Sequence, residues 1–436
     1  MAKIFLLILL MFSLTACAWL DKKETPPIPG KRISVLSNNR SIQADPNLKN
    51  FQIILPRPTL NDAWPQAGGY ANHAMHHIEV RDSLEKKWST DIGEGRDTDN
   101  RLSSEPVIGD GKVFAMDSES AITALNFNNG NRLWHLNLTP DDEDDGHIGG
   151  GLAYDNGILY VTTGFAKVFA LDAKSGKLIW KRKLEAPLRA PPTVRGGRIF
   201  IITVNNQMVT LNSKTGEDLW KHSGLPETAS MLGSASPAVD DGIVIAPYSS
   251  GQLVALRVDN GRVLWEESLT SVRQANAISA ISDIRGRPII DRGLVIAISN
   301  GGQIIAVDLR TGKRVWQKDI GSLESPWVAG DYIFTLTNQA EVVCLSRKNG
   351  SVHWVKSLEK YKNPEELSGL ILWTGPILAS DRLIIAASTG LALAVSPYTG
   401  KILGYIDMPD GVSIPPVVAN GNVFFIADDA ELVAYH

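Results

Sequence analysis

The feature that most limits how this chain can fold is a motif that returns seven times between residues 124 and 404. A small residue and an apolar residue lead into a short polar turn ending in Gly, and a Trp stands four positions beyond that Gly. The motif reads Ala124-Leu125 with Gly130 and Trp134, Ala170-Leu171 with Gly176 and Trp180, Thr210-Leu211 with Gly216 and Trp220, and Ala255-Leu256 with Gly261 and Trp265. It continues as Ala306-Val307 with Gly312 and Trp316, Cys344-Leu345 with Gly350 and Trp354, and Ala394-Val395 with Gly400, where Gly404 takes the Trp position. Self-similarity at a spacing of roughly 40–50 residues marks an array of one supersecondary unit, each burying its apolar face against the next.

The register of the unit is fixed by a second signal. A Pro lies 24 residues before six of the seven glycines, at Pro106, Pro192, Pro237, Pro288, Pro326 and Pro376, with Leu152 in its place in the second repeat. Soon after each comes a tight-turn dipeptide, among them Asp110-Gly111, Asn156-Gly157, Gly196-Gly197, Asp241-Gly242 and Ser380-Asp381. Such pairs accept the positive φ angles that two-residue hairpins need. Val/Ile/Phe-rich runs such as 157–161 and 242–246 fill the intervals, so each repeat is predicted to be four short antiparallel strands, A to D, with the Trp on strand D. Pro416, Asn420-Gly421 and Ala434 begin an eighth unit, and residues 84–88, ending in Trp88, carry the strand D pattern upstream of the first Pro. The expected fold is therefore all-β, an eight-bladed propeller closed by pairing of its N-terminal and C-terminal strands, which leaves no open sheet edge to propagate. The Trp set is expected to wedge neighbouring blades apart at fixed spacing.

The N-terminus differs in kind. Residues 1–16 hold one cation, Lys3, and an apolar run too short to cross a bilayer as a helix, which is the pattern of a secretory signal. Residues 14–17, Leu-Thr-Ala-Cys, resemble the bacterial lipobox, and the resemblance implies cleavage before Cys17 and its acylation. Ala18, rather than Asp, favours sorting to the outer membrane. Residues 17–60 gather Pro26, Pro27, Pro29, Pro46, Pro56 and Pro58 among polar residues with no sustained period, as expected of a flexible lipidated tether. The propeller is expected over 61–436. A formal net charge of −4 offers no cationic field for nucleic acid.

The repeat resembles that of the quinoprotein-type, PQQ-like β-propellers. With the lipobox and tether, the chain resembles the lipoprotein propellers of the outer-membrane β-barrel assembly (BAM) complex. The resemblance implies a non-enzymatic scaffold without cofactor, facing the periplasm of a Gram-negative bacterium. It implies docking on a POTRA domain of the central subunit BamA and assistance to outer-membrane protein insertion, with unfolded outer-membrane proteins as a further class of partner. The spacing from Pro to Trp is constant, so length varies only in the loops from strand D to the next strand A: 12 residues from Trp180 to Pro192 against 23 from Trp265 to Pro288 and 22 from Trp354 to Pro376. Recognition surfaces grow on such loops. By resemblance, the BamA-binding residues are Leu188 and Arg189 in one loop and Asp283 and Arg285 in another, within Ser282-Asp283-Ile284-Arg285, where Arg285 replaces an acidic residue of the family.

Other constellations read as structural. His73, His76 and His77 have no companion carboxylate or Cys pattern for a metal, and residues 141–145, Asp-Asp-Glu-Asp-Asp, lack the alternating ligand spacing of a calcium loop. Residues 149–151, Gly-Gly-Gly, open a strand and so make no phosphate cradle. Cys344 fills the small-residue position of its repeat and is expected to be a buried free thiol. The competing function, a quinone-dependent dehydrogenase, resembles the family in fold but calls for adjacent cysteines that this sequence lacks. A glycan- or peptide-binding propeller is the third possibility.

Overall fold

Eight antiparallel sheets of four strands each form the body of the molecule. The structure is a computed structural model that describes residues 42–48, 51–142, 149–226, 233–270 and 283–436. The signal segment, Cys17 and residues 17–41 of the tether lie outside the described residues, as do residues 143–145 of the acidic run and Ser282.

Blade 1 shows how the repeat builds a sheet: strands Val107–Gly109, Lys112–Met116, Ala121–Asn126 and Arg132–Asn137 pair in sequence order. Its three inner strands are almost wholly buried, because blades on both sides cover them, and so they read as apolar runs. Strand D lies outermost and is largely exposed. The turns have the predicted chemistry, with positive φ at both residues of Asp110-Gly111, Asn156-Gly157 and Asp241-Gly242. Blades 2 to 7 repeat this plan, ending in strands D at Leu178–Lys183, Asp218–Ser223, Val263–Ser268, Arg314–Lys318, Val352–Ser357 and Ile402–Asp407. Blade 8 takes Val417–Ala419, Asn422–Ile426 and Glu431–Tyr435 from the C-terminal part and its strand D, Lys86–Asp91, from the N-terminal part.

The motif acquires a physical meaning here. The small residue stands directly across from the Trp on the neighbouring strand: Ala124 from Trp134, Ala170 from Trp180, Cys344 from Trp354, and across the closure Ala434 from Trp88. A larger side chain would displace the indole. Each indole then reaches the next blade, its N–H donating to a backbone carbonyl: Trp88 to Phe127, Trp134 to Ala173, Trp180 to Ser213, Trp220 to Val258, Trp265 to Leu309, Trp316 to Arg347 and Trp354 to Pro397. The motif glycine of that next blade lies against the ring; a Cβ on Gly350 would fall 2.7 Å from Trp316 Cε3. One blade's Trp and the next blade's Gly are thus two halves of one contact.

Residues 59–80 form a belt around the inner ends of all eight blades. Trp64 exchanges two backbone hydrogen bonds with Ile108 of blade 1. The Pro65 carbonyl accepts from Tyr154 N–H of blade 2, and the Gln66 side-chain amide pairs with Val194 of blade 3 as a strand would. The carbonyls of Ala71, Asn72 and His76 accept from Val239 N–H, Ile290 N–H and the Trp327 indole of blades 4, 5 and 6. Ile78 joins Leu378 and Ser380 of blade 7, and Asn61 joins Val418 and Asn420 of blade 8. The end of the segment read as tether also lies on the body: Phe51 meets the His353 ring, Ile53 is buried, and the Pro56 carbonyl accepts from His77 Nδ1–H.

Candidate functional site

The connections from strand D to the next strand A all leave from one face of the ring, and those of blades 3 and 5 hold the residues assigned to partner binding. In the first, Leu188 pairs as an isolated bridge with Thr203 and is fully buried in the core between blades 2 and 3. The loop is clamped on both sides: the Pro187 carbonyl accepts from Val204 N–H, and Thr162 Oγ1 donates to the Ala190 carbonyl at 2.9 Å. Gly149 makes this approach feasible, since a Cβ there would meet the Leu188 carbonyl at 2.6 Å. Arg189, partly exposed, is carried on this fixed backbone.

In the second loop Asp283 and Ile284 are buried, and the Asp283 carbonyl accepts from Asn300 N–H. Gly286 packs on the Glu324 backbone, where a Cβ would fall 2.6 Å from the carbonyl oxygen, and Arg287 N–H donates to Ser325 Oγ. Arg285 is partly exposed and lies over Gly233 of the intervening blade 4 connection, its Nε 3.0 Å from where a Cβ of that glycine would be. Of the four assigned residues, Leu188 and Asp283 are thus buried, while Arg189 and Arg285 are partly exposed.

Beneath these loops lies an ionic cluster that the sequence reading missed. Glu105 of the blade 1 connection pairs with Arg287 and accepts from Gly68 N–H of the belt. Glu324 is partly buried and accepts from Thr374 Oγ1 and Gly375 N–H; desolvation pushes its carboxyl above the usual glutamate range, against the pull of Arg285. The only sequence signal for this cluster is the Glu at or next to the position before the strand A prolines, Glu105-Pro106 and Glu324-Ser325-Pro326. A cavity of about 30 Å³ remains at the axis, lined by Trp64, Gly68, His73, Glu105, Arg287 and Trp327 among others.

The three histidines diverge. His73 Nδ1–H donates to the Pro288 carbonyl, His76 Nε2 lies 3.6 Å from Asp291, and His77 is held between Pro56 and the Asp381 N–H, which donates to its Nε2. His73 and His76 thus pin the belt to blade 5, and His77 pins it to blade 7. Residues 149–151 open strand Gly150–Asp155, where a Cβ on Gly150 would lie 2.0 Å from the Thr162 carbonyl, so close packing requires glycine. Cys344 is free and buried, and burial pushes its thiol well up.

Fold and repeat together define an eight-bladed propeller of the PQQ-like kind. The sequence model of the family described as outer membrane protein assembly factor BamB matches residues 71–147 and 118–356. The chain belongs to this BamB family. One relative is the BamB protein of Moranella endobia, 24% identical over 366 residues that cover 83% of this chain and 92% of that protein. Among solved structures, BamB from Moraxella catarrhalis superposes with a TM-score of 0.70 at 19% identity, covering 81% of this chain and all of that one. A quinohemoprotein alcohol dehydrogenase of Pseudomonas putida HK5 superposes with a TM-score of 0.65 at 13% identity, covering 86% and 80%. At such identities the two superpositions concern the fold.

Proposed function

We propose that this protein is a non-enzymatic scaffold of the outer-membrane protein assembly machinery, anchored by acylated Cys17 to the outer membrane and facing the periplasm. Its loop face docks on a POTRA domain of BamA through Arg189 and Arg285, with Leu188 and Asp283 holding the two loops in shape. Family membership supports the assembly role, and the observation that carries the docking surface is the pair of partly exposed arginines on connections clamped by buried neighbours. A preorganised loop loses little conformational entropy on binding, and arginine is favoured at interface hot spots. Unfolded outer-membrane proteins are the further class of partner.

The test is recovery of BamA with the tagged full-length protein. Arg189→Glu combined with Arg285→Gln, which puts no carboxylate beside Glu324, is expected to lower recovery at least tenfold, which corresponds to about 1.4 kcal/mol; undiminished recovery rejects the surface. Cys17→Ala is expected to abolish labelling by palmitate and release the protein from the membrane fraction. The quinone-dependent reading is less favoured, because the sequence holds no adjacent pair of cysteines.

A further inference from the structure

At the axis of the ring three residues that line one small space each hold a buried polar atom with no hydrogen-bond partner among the described residues. His73 Nδ1–H donates to the Pro288 carbonyl at 2.7 Å, so its Nε2 carries a lone pair. That atom is buried and finds no hydrogen-bond partner among the described residues, and the same holds for Arg287 Nε and the Trp64 indole nitrogen. Gly68 makes the room between them. A Cβ at this position would lie 3.0 Å from Arg287 Nε and 3.1 Å from His73 Cδ2, so the missing methyl leaves a gap bounded by guanidinium on one side and imidazole on the other. All four residues line the cavity of about 30 Å³.

We propose that this cavity is a binding site for one neutral hydroxylic molecule, water, which donates to His73 Nε2 and accepts from Arg287 Nε–H and the Trp64 indole N–H. A volume of about 30 Å³ admits one or two waters. Charge and proton inventory sort the remaining candidates. A halide accepts from both N–H groups but has no proton for the imidazole lone pair. A metal cation would sit against a guanidinium and an indole N–H, neither of which is a ligand, while the carboxylates in the lining are already engaged, Glu105 by Arg287 and Gly68 N–H and Glu324 by Thr374 and Gly375 N–H. The neutral imidazole that the site requires agrees with burial and the Arg287 charge, which together pull the His73 pKa down to about 3. The bound water joins the belt, through Trp64 and His73, to Arg287 at the root of the loop that presents Arg285.

Crystals of the protein grown in sodium bromide test the proposal directly. A solvent peak at hydrogen-bonding distance from His73 Nε2 and Arg287 Nε, with no bromine anomalous signal, is the expected result. An anomalous peak there replaces water by an anion and overturns the proposal, as does a map that shows ordered waters elsewhere and none at this position. In solution, the ¹⁵N resonance of His73 Nε2 is expected upfield of an unbonded imidazole acceptor; a resonance at the unbonded position also overturns it.

Discussion

Seven of the eight blade interfaces are locked by two residues from different repeats, an indole and a turn glycine, and this determines which substitutions hurt. Trp316 is buried and donates to Arg347, so Trp316→Ala removes a large contact and leaves the carbonyl unpaired; chemical denaturation is expected to show a loss of ~3–5 kcal/mol. Gly350 and Gly242 have similar φ, 68° and 75°, so alanine at either pays about 1–2 kcal/mol for the left-handed backbone. Only at Gly350 does the new methyl also strike Trp316, whereas nothing lies within 4 Å of a Cβ on Gly242. Gly350→Ala is expected to be clearly the more destabilising, and equal midpoints in urea would contradict the lock. His73 gives a pH signature. The unfolded chain takes up this proton below about 6.5, whereas the folded protein holds off to about 3. The unfolded state therefore binds more protons, and stability falls as pH drops through that window. Glu324 acts in the opposite sense, because its raised pKa lets the folded ring bind a proton first. Replacing His73 by Asn, which keeps a donor for Pro288, is expected to flatten the acid-side fall in urea midpoint. The tryptophans and glycines were legible in the sequence because their spacing repeats. That they touch across blades was not, since a period within one chain says nothing about which copy meets which. The burial of Leu188 and Asp283 escaped for a related reason: both lie in connections, where no alternation reports which side chain points inward.

Strands were read well where a strict turn chemistry bounded them, and poorly where the chain left the repeat. The connection from Trp354 to Pro376 holds an added hairpin, Tyr361–Asn363 with Ser368–Leu370, whose exposed Leu367 and Leu370 give no alternation to detect. Gly404 is the opposite case, an irregularity visible in the sequence whose reason only the topology supplies. In the other blades the strand D Trp needs the turn between strands C and D of the next blade, both for its carbonyl and for its glycine. Blade 8 takes its strand D from Lys86–Asp91 instead of through such a turn, so an indole at 404 would have no receiver. Nothing lies within 4 Å of a Cβ there. The seam between blades 7 and 8 is thus the one interface without the wedge. Local opening follows the loss of buried contacts, so amides of Ile402–Asp407 are expected to exchange hydrogen faster than those of Arg314–Lys318 in native conditions. Equal protection by mass-resolved exchange would remove the seam's special status.

For the molecule as a whole, the belt decides whether eight sheets make one cooperative ring. Its residues alternate among partners, one or two to each blade in turn, and this is why residues 59–80 show no period. Yet Trp64 and Ile78 are almost wholly buried, and Met75 and Val80 join the same core, so the segment is a shared centre for every blade. Fully burying a large apolar side chain contributes about 1.5–3 kcal/mol, and four of them approach the whole net stability of an ordinary domain, about 5–15 kcal/mol. Two truncated chains separate the belt from the blades. One beginning at residue 59 keeps both, and is expected to melt cooperatively close to the full-length protein. One beginning at residue 84 retains all thirty-two blade strands, including Lys86–Asp91, and so preserves every sheet and every tryptophan contact between blades. It loses the inner hydrogen bonds to all eight strands A and exposes the apolar lining they leave behind. That chain is expected to unfold at much lower urea, or to bind a hydrophobic dye as an expanded state, despite having the full set of sheets. If its midpoint matched that of the longer chain, the indole and glycine locks alone would suffice to hold the ring.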